Sequence, residues 1–402
     1  MNKIELNLIR LLSNSLNSKN QSIDELNYEE QKKIITLALE QQIFYIILDS
    51  INNIIINKFD NSLLEGFSKQ KMIMALNYQS RLSIIKTILE KCNNEKIDIM
   101  VMKGYYYRTL YPNPYTRTMG DVDLYVKPSQ FDEACKIIES FGYFDPYNGK
   151  NISHHIGFEH EKYIEIELHH SIVHKQSAHQ FNGFNDYIWE KQIKVDIDGI
   201  KCIIPSLEDN TVYACMHMLS HFKSRGFGLR QLADFVLLIN NHENFNWNIF
   251  LKTAKRFNIF NFISSVINIT YKYLNLNIPN DFLYLIDTTN NKNTEILFNN
   301  IFKDGIFGAH NGNTMISIDY KNIDINSKSN KLKSKTQVFF PKSERLGIRY
   351  SYAKKYSILL PFAWIHRFIY VLIRKDIKSN EKLPDFNYIN QHIEVVKWFE
   401  EQ

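Results

Sequence analysis

The sequence predicts an α+β protein: a small mixed β-sheet over roughly residues 94–204, with helical regions at 1–93 and 205–402 on either side of it. Three observations predict this. Up to Asn93 the apolar residues recur at helical spacing. From Ile97 they change to short apolar runs and strict alternation, punctuated by Gly, Pro and Asn. After Ser206 the helical period returns.

The elements follow in order. IELNLIRLL (4–12) and KKIITLALEQQIFYIILDSINNII (32–55) have helical spacing, RLSIIKTILEKC (81–92) continues it, and Asn93-Asn94 stops it. IDIMVM (97–102) suits a buried strand, and KGYYYRTLY (103–111) a short helix. PNPYTRTMG (112–120) is a loop marked by Pro and Gly. DVDLYV (121–126) is a strand, and PSQFDEACKIIESFGY (128–143) a helix opened by Pro128-Ser129 and closed by Gly142. HIGFEH (155–160) and KYIEIELHH (162–170) read as paired strands, and VDIDGIKCIIP (195–205) as a hairpin turning at Asp198-Gly199. SLEDNTVYACMHMLSHF (206–222) opens with a Ser cap and acids in its first turn, and FGLRQLADFVLLIN (227–240) and WNIFLKTAKRFNIF (247–260) follow as helices. The polar, lysine-rich stretch near 304–336 reads as a long loop.

Composition narrows the function classes. With 44% hydrophobic and 23% charged residues the 402-residue chain has the balance of a globular protein. Its net charge of +5 is mild at this length and argues against tracking long nucleic acids, which takes clustered Lys and Arg. The four cysteines form no CxxC pair and fit free thiols in a reducing, cytoplasmic setting. The start of the sequence has no secretory-signal pattern. KKYSILLPFAWIHRFIYVLIRK (354–375) is apolar with basic flanks, but Pro361 interrupts it and His366 and Arg367 fall near its middle. It is expected as a buried or interfacial helix capable of peripheral membrane contact, not as a transmembrane span. No GxGxxG, Walker A or GxSxG motif is present.

The chemistry concentrates in GDVDLYV (120–126). Residues two apart on a strand share a face, so Asp121 and Asp123 stand together while Val122, Leu124 and Val126 face the core. Two adjacent carboxylates repel unless a cation lies between them. A half-exposed antiparallel sheet also produces such a strand, so DxD alone favours the plainer reading. In YIEIELHHS a second strand offers Glu165, Glu167 and His169 on one face. Two such strands side by side would form a three-carboxylate cluster suited to Mg²⁺, which binds oxygen ligands and leaves room for phosphates.

Residues 101–143 resemble an uncharacterised nucleotidyltransferase family met in bacterial gene clusters for polysaccharides and peptide natural products. The resemblance lies in Lys103-Gly104, in Arg117 shortly before Gly120-Asp121-Val122-Asp123-Leu124, and in Gly142-Tyr143. IEIELHHS, HMLSHFKSRGFGLRQLADF and the C-terminal VFFPKSERLGIRY and LLPFAWIHRFI extend it over most of the chain. It implies a core like that of DNA polymerase β and Mg²⁺- or Mn²⁺-dependent transfer of a nucleoside monophosphate from a nucleotide triphosphate, ATP first among them. The acceptor is unidentified: a sugar, a peptide, a protein side chain or an RNA end. In this resemblance Asp121, Asp123 and Glu167 hold metal, with Glu165 a rival for the third place. Lys103 and Arg117 neutralise phosphate, and Gly104 lets the backbone approach it. A lysine-glycine pair stands where the usual loop has Gly-Ser. A non-catalytic module that binds a nucleotide or a partner, peripheral to a membrane glycan-assembly complex, is the alternative.

Four further features are weighed from the residues. His169 would touch acceptor or phosphate, or be buried and hydrogen-bonded. Arg230 and Asp234, i and i+4 on one helix, would form an intrahelical pair or lie over the cleft, Arg230 meeting phosphate and Asp234 the acceptor. His217 and His221 have metal-ligand spacing but lack the Glu of HExxH, so pocket or helix-face histidines are the simpler reading. Tyr105, Tyr106 and Tyr107 could stack a base, though core packing suits at least two of them better.

Overall fold

The computed structural model describes residues 1–17, 21–55, 61–147, 154–173, 181–224, 226–286, 292–304, 340, 343, 346, 350–373 and 386–400. The polar stretch at 304–336 lies outside them except for residue 304. The chain divides into two compact units, one of Met1–Met218, Gly228–Glu295 and Phe399–Gln402, the other of Leu219–Phe227 and Ile296–Trp398.

The first unit carries a mixed sheet. It begins with helices α1 (Lys3–Asn17), α2 (Tyr28–Glu40), α3 (Phe44–Ile55) and α4 (Asn61–Asn94). The run read as one helical pattern over 32–55 is two helices, because Gln42 takes a left-handed φ of 54° and Ile43 N–H turns back to the Ala38 carbonyl. A capping box opens α2: the Asn27 side chain accepts from Glu30 N–H, and Glu30 accepts from Asn27 N–H. At the other end of the helical run α4 stops at Asn94, as the sequence predicts.

The sheet has six strands in the order β3-β4-β2-β1-β6-β5. They are β1 (Ile99–Val101), β2 (Asp121–Val126), β3 (His155–Phe158), β4 (Glu165–His169), β5 (Ile193–Ile197) and β6 (Ile200–Ile204). β2 pairs antiparallel with β1 and parallel with β4, and β1 pairs parallel with β6. The β5–β6 hairpin turns at Asp198 (φ 54°) and Gly199 (φ 83°), the two positive φ values a type I′ turn requires. The buried Arg108 pairs with the Asp198 carboxylate. Short helices α5 (Gly104–Tyr107), α6 (Phe131–Ser140) and α7 (Phe184–Glu190) lie between strands, and α6 is preceded by a 3₁₀ turn at Pro128–Gln130.

One face of the sheet makes the core. Val101, Val122, Leu124, Val126, Ile166, Leu168 and Ile204 pack with Leu82, Ile85 and Leu89 of α4 and Ala134, Ile137 and Ile138 of α6. At roughly 25 cal/mol per Å² of apolar surface, each Val, Leu or Ile among them contributes about 1.5–3 kcal/mol by leaving water. The alternation that supplies this face fixes the acids on the other. Helices α8 (Leu207–Ser224), α9 (Leu229–Asn240), α10 (Trp247–Arg256) and α11 (Phe260–Leu274) follow the sheet in sequence.

The described residues of the second unit include most of α12 (Lys292–Asp304), α13 (Ser351–Lys355), α14 (Leu360–Ile373) and most of α15 (Phe386–Glu400). Leu346, Tyr350, Ala353 and Ala363 form a small apolar cluster in it. Pro361, expected to interrupt the apolar run, sits in the first turn of α14, where a missing N–H costs nothing. Among the described residues no helix is long and apolar enough to cross a membrane.

Candidate functional site

The register between β2 and β4 builds the site. It sets Asp121 opposite Glu165, Asp123 opposite Glu167 and Tyr125 opposite His169. Both strands therefore present acids on the same face, one strand spacing of roughly 4.8 Å apart. Asp123 and His169 are buried, Asp121 and Glu167 are half-buried, and Glu165 is exposed.

A buried carboxylate needs partners. Asp123 Oδ1 receives Lys103 Nζ at 2.7 Å and His169 Nε2 at 3.0 Å. His169 Nε2 is also 3.4 Å from Glu167 Oε2, and Lys103 Nζ is 3.3 Å from His217 Nε2 on α8. Tyr213, one turn before His217, puts its ring 6.0 Å from the same ammonium. Lys103 reaches this position from the bend between β1 and α5, with φ 43° and ψ −122°. A side-chain-bearing residue holds such a conformation at a cost of about 1–3 kcal/mol, which the surrounding structure must offset. Met102 N–H, donating to the Asp123 carbonyl, fixes the strand just before that bend.

The electrostatics divide the acids. Burial pushes the Asp121 carboxyl up, Asp123 beside it adds repulsion, and the group reaches about 6. Burial works the same way on Asp123, but Lys103 and His169 outweigh it and hold that carboxyl well below the usual range. Lys103 is raised: burial opposes its charge, and Asp123 more than compensates. His169 is raised against its burial by hydrogen bonds to Asp123 and Glu167, and Glu167 is lowered against its own burial mainly by His169. Asp123, Glu167 and His169 each offer a ligand atom, all within 4.8 Å of one another, a set that could hold a metal ion.

A second buried ion pair supports the loop that leads into β2. Arg117 Nε donates to Asp234 Oδ1 at 2.9 Å and Nη2 to Oδ2 at 2.6 Å, and Tyr111 donates to Oδ1 at 2.8 Å. Arg230 Nη1 donates to the Thr118 carbonyl at 2.8 Å and to the Gln42 side chain. In place of the intrahelical pair weighed for Arg230 and Asp234, each residue bonds across the fold, because Arg117 offers Asp234 a planar fork. Gly104 packs beneath this pair. A Cβ there would lie 2.9 Å from Arg117 Nη1 and 2.9 Å from Met119 Sδ. Gly120, at the entry to β2, has open space around it.

The structure thus brings Lys103, Asp121, Asp123, Glu167 and His169 together, and gathers Gly104, Arg117, Arg230 and Asp234 around the supporting loop. Tyr105, Tyr106 and Tyr107 are buried, with hydroxyls on Asp198, His242 and Asn210 respectively. His217 belongs with Lys103, and among the described residues no three-ligand metal set includes His217 or His221. Sequence reasoning misses Tyr213 and the Lys103–His217 contact. Spacing puts residues 213 and 217 on one helical face, but nothing local says that this face meets the sheet.

The chain belongs to the family described as uncharacterised nucleotidyltransferase, whose model matches residues 27–275. No curated protein matches the sequence. A solved structure, an antigenic nucleotidyltransferase-like protein from Paracoccidioides brasiliensis, is 16% identical over 50% of this chain and 94% of that one, with a TM-score of 0.33.

Proposed function

We propose that the protein is a Mg²⁺- or Mn²⁺-dependent nucleotidyltransferase that moves a nucleoside monophosphate from a nucleotide triphosphate, ATP first among them, to an acceptor, releasing pyrophosphate. Family membership supports nucleotidyl transfer in general. The observation that carries the finer reading is the register setting Asp123 opposite Glu167, with Asp121 on the same face.

The residues fit a hard divalent cation. Carboxylate oxygens are its preferred ligands, and Asp121, pushed up to about 6 by burial and by Asp123, is a carboxyl that a cation would relieve. In this reading Asp121, Asp123 and Glu167 hold the metal, which when bound supplies neutralisation of phosphate charge and activation of the acceptor. Lys103 exchanges part of its contact with Asp123 for phosphate oxygens. His169 holds Asp123 in place and stands near the phosphates. As the acceptor oxygen bonds to the α-phosphorus, the bond to the pyrophosphate oxygen breaks, and Glu167 receives the acceptor proton. Arg117 and Asp234 act by positioning the loop before Gly120, Gly104 by admitting that loop close to α5, and Arg230 by anchoring it at Thr118. The acceptor is a sugar, a peptide, a protein side chain or an RNA end. The four free thiols accord with a reducing, cytoplasmic setting.

Calorimetry with each nucleotide triphosphate, with and without Mg²⁺, followed by a pyrophosphate-release assay, tests the proposal. Metal-dependent binding that Asp121→Ala and Asp123→Ala abolish is the expected result. No binding, with both variants behaving as the parent, overturns it. A second reading is a non-catalytic nucleotide- or partner-binding module, favoured by the two protein cations already engaged with carboxylates, Lys103 on Asp123 and Arg117 on Asp234. Metal-dependent binding without pyrophosphate release would select it. Either reading admits peripheral membrane contact, for which α14 exposes Phe362, Ile365, Phe368 and Ile369; liposome flotation tests that.

A further inference from the structure

A second set of ligand atoms adjoins the acids. His154, His155 and His169 each offer a nitrogen, and these atoms all lie within 4.8 Å of one another. His154 and His155 are consecutive and would point to opposite sides of a regular strand. The backbone prevents that. His154 lies just before β3, and its carbonyl accepts from both His170 N–H at 3.1 Å and Ser171 N–H at 3.2 Å. The two rings then meet edge to face with centroids 4.3 Å apart, and His155 Nδ1 comes to 2.9 Å from His154 Nε2. The β3–β4 register adds His169 directly opposite His155, with 4.9 Å between ring centroids.

Two imidazole nitrogens at that separation need a proton or a cation between them. Glu167 joins the group from the next position on β4: its Oε1 is 3.7 Å from His155 Nε2, while Oε2 is 3.4 Å from His169 Nε2. A carboxylate against a ligating histidine is the arrangement that fixes ring orientation and raises ligand basicity. Three nitrogen ligands, with Glu167 against the rings, suit Zn²⁺ or a similar borderline ion, with nitrogen distances of about 2.0–2.1 Å, and suit Mg²⁺ poorly.

We propose that His154, His155 and His169, with Glu167 beside them, form a nitrogen-rich site for a divalent transition-metal cation, Zn²⁺ in the first place, adjoining the carboxylate cluster. The site sits at the β3–β4 end of the sheet, and its His169 also belongs to the Asp123–Glu167–His169 set, so the two cations would be neighbours. It stands whether or not the carboxylates turn over a nucleotide.

The test uses the full chain stripped with chelator. In equilibrium dialysis with excess Mg²⁺ present, about one Zn²⁺ per chain should be retained. Titration with Co²⁺ should give ligand-field bands that Zn²⁺ displaces. His155→Gln should weaken Zn²⁺ binding at least about tenfold, and the His154→Ala/His155→Ala pair should remove the Co²⁺ bands. Asp121→Asn should leave both signals unchanged while losing Mg²⁺-dependent nucleotide binding, which separates this site from the proposed catalytic one. Circular dichroism checks the fold of each variant, and the parent protein's Co²⁺ spectrum decides the matter if a variant misfolds. Failure of the parent to retain Zn²⁺ against Mg²⁺, retention undiminished in the folded histidine variants, or loss of the Co²⁺ bands in Asp121→Asn would overturn the site and show the close histidines to be a hydrogen-bonded pair.

Discussion

Asp121 and Asp123 are two residues apart on one strand, yet their surroundings drive their carboxyls in opposite directions. Asp121 rises from its ordinary 3.8 to about 6, so the folded protein holds that proton more tightly than the unfolded chain does. The stability this group contributes is full below about pH 4 and is lost as pH rises through 6. Asp121→Asn should therefore stabilise the metal-free protein at pH 8 by about 1–2 kcal/mol, after allowance for solvent screening, and remove the fall between pH 4 and 6. Denaturant titration across that range measures it. Asp123→Asn should behave oppositely. It strands the Lys103 ammonium and should cost about 3–5 kcal/mol, with pyrophosphate release down by about 100-fold or more. The DxD pair is legible in the sequence because alternation is a local property. Which of Glu165 and Glu167 lies opposite Asp123 is not, because it depends on the register between β2 and β4. The electrostatic split is equally hidden, since Lys103 and His169 reach Asp123 from elsewhere in the chain.

At the scale of elements, the loop from Pro112 to Gly120 is held by side chains from α9. Arg117 fits Asp234 in two parallel bonds, and Arg230 ties Thr118 to the α2–α3 turn through Gln42. Arg117→Lys should lose about 3–5 kcal/mol despite keeping the charge, because an ammonium cannot make both bonds. A double-mutant cycle with Asp234→Asn should show strong coupling. Gly104→Ala pushes a methyl group against Arg117 and Met119, and should cost about 1–3 kcal/mol. Thermal melts would read both effects. Strand positions were legible from period and punctuation: IDIMVM, DVDLYV and the Asp198-Gly199 hairpin all form. The break at Gln42 was not, because its neighbours carry the helical pattern straight through it.

At the scale of the molecule, the order of strands is the feature that local pattern does not carry. The sequence implies strands and a mixed sheet, but the two parallel pairings, β2 with β4 and β1 with β6, join segments separated by other elements. The helical character after Ser206 was readable from periodicity. The partners of its faces were not, which is why Asp234 emerged as the anchor of Arg117 only in the folded chain.

The position of β6 has a consequence for synthesis on the ribosome. β1 lies between β2 and β6, and β6 is made about a hundred residues after it. Throughout that interval the nascent chain carries an inner strand with one side unpaired, a template for a neighbouring polypeptide. Release of the segment through Ile204 from the exit tunnel is thus the event that seals the sheet, and stalling before it leaves the chain open to aggregation.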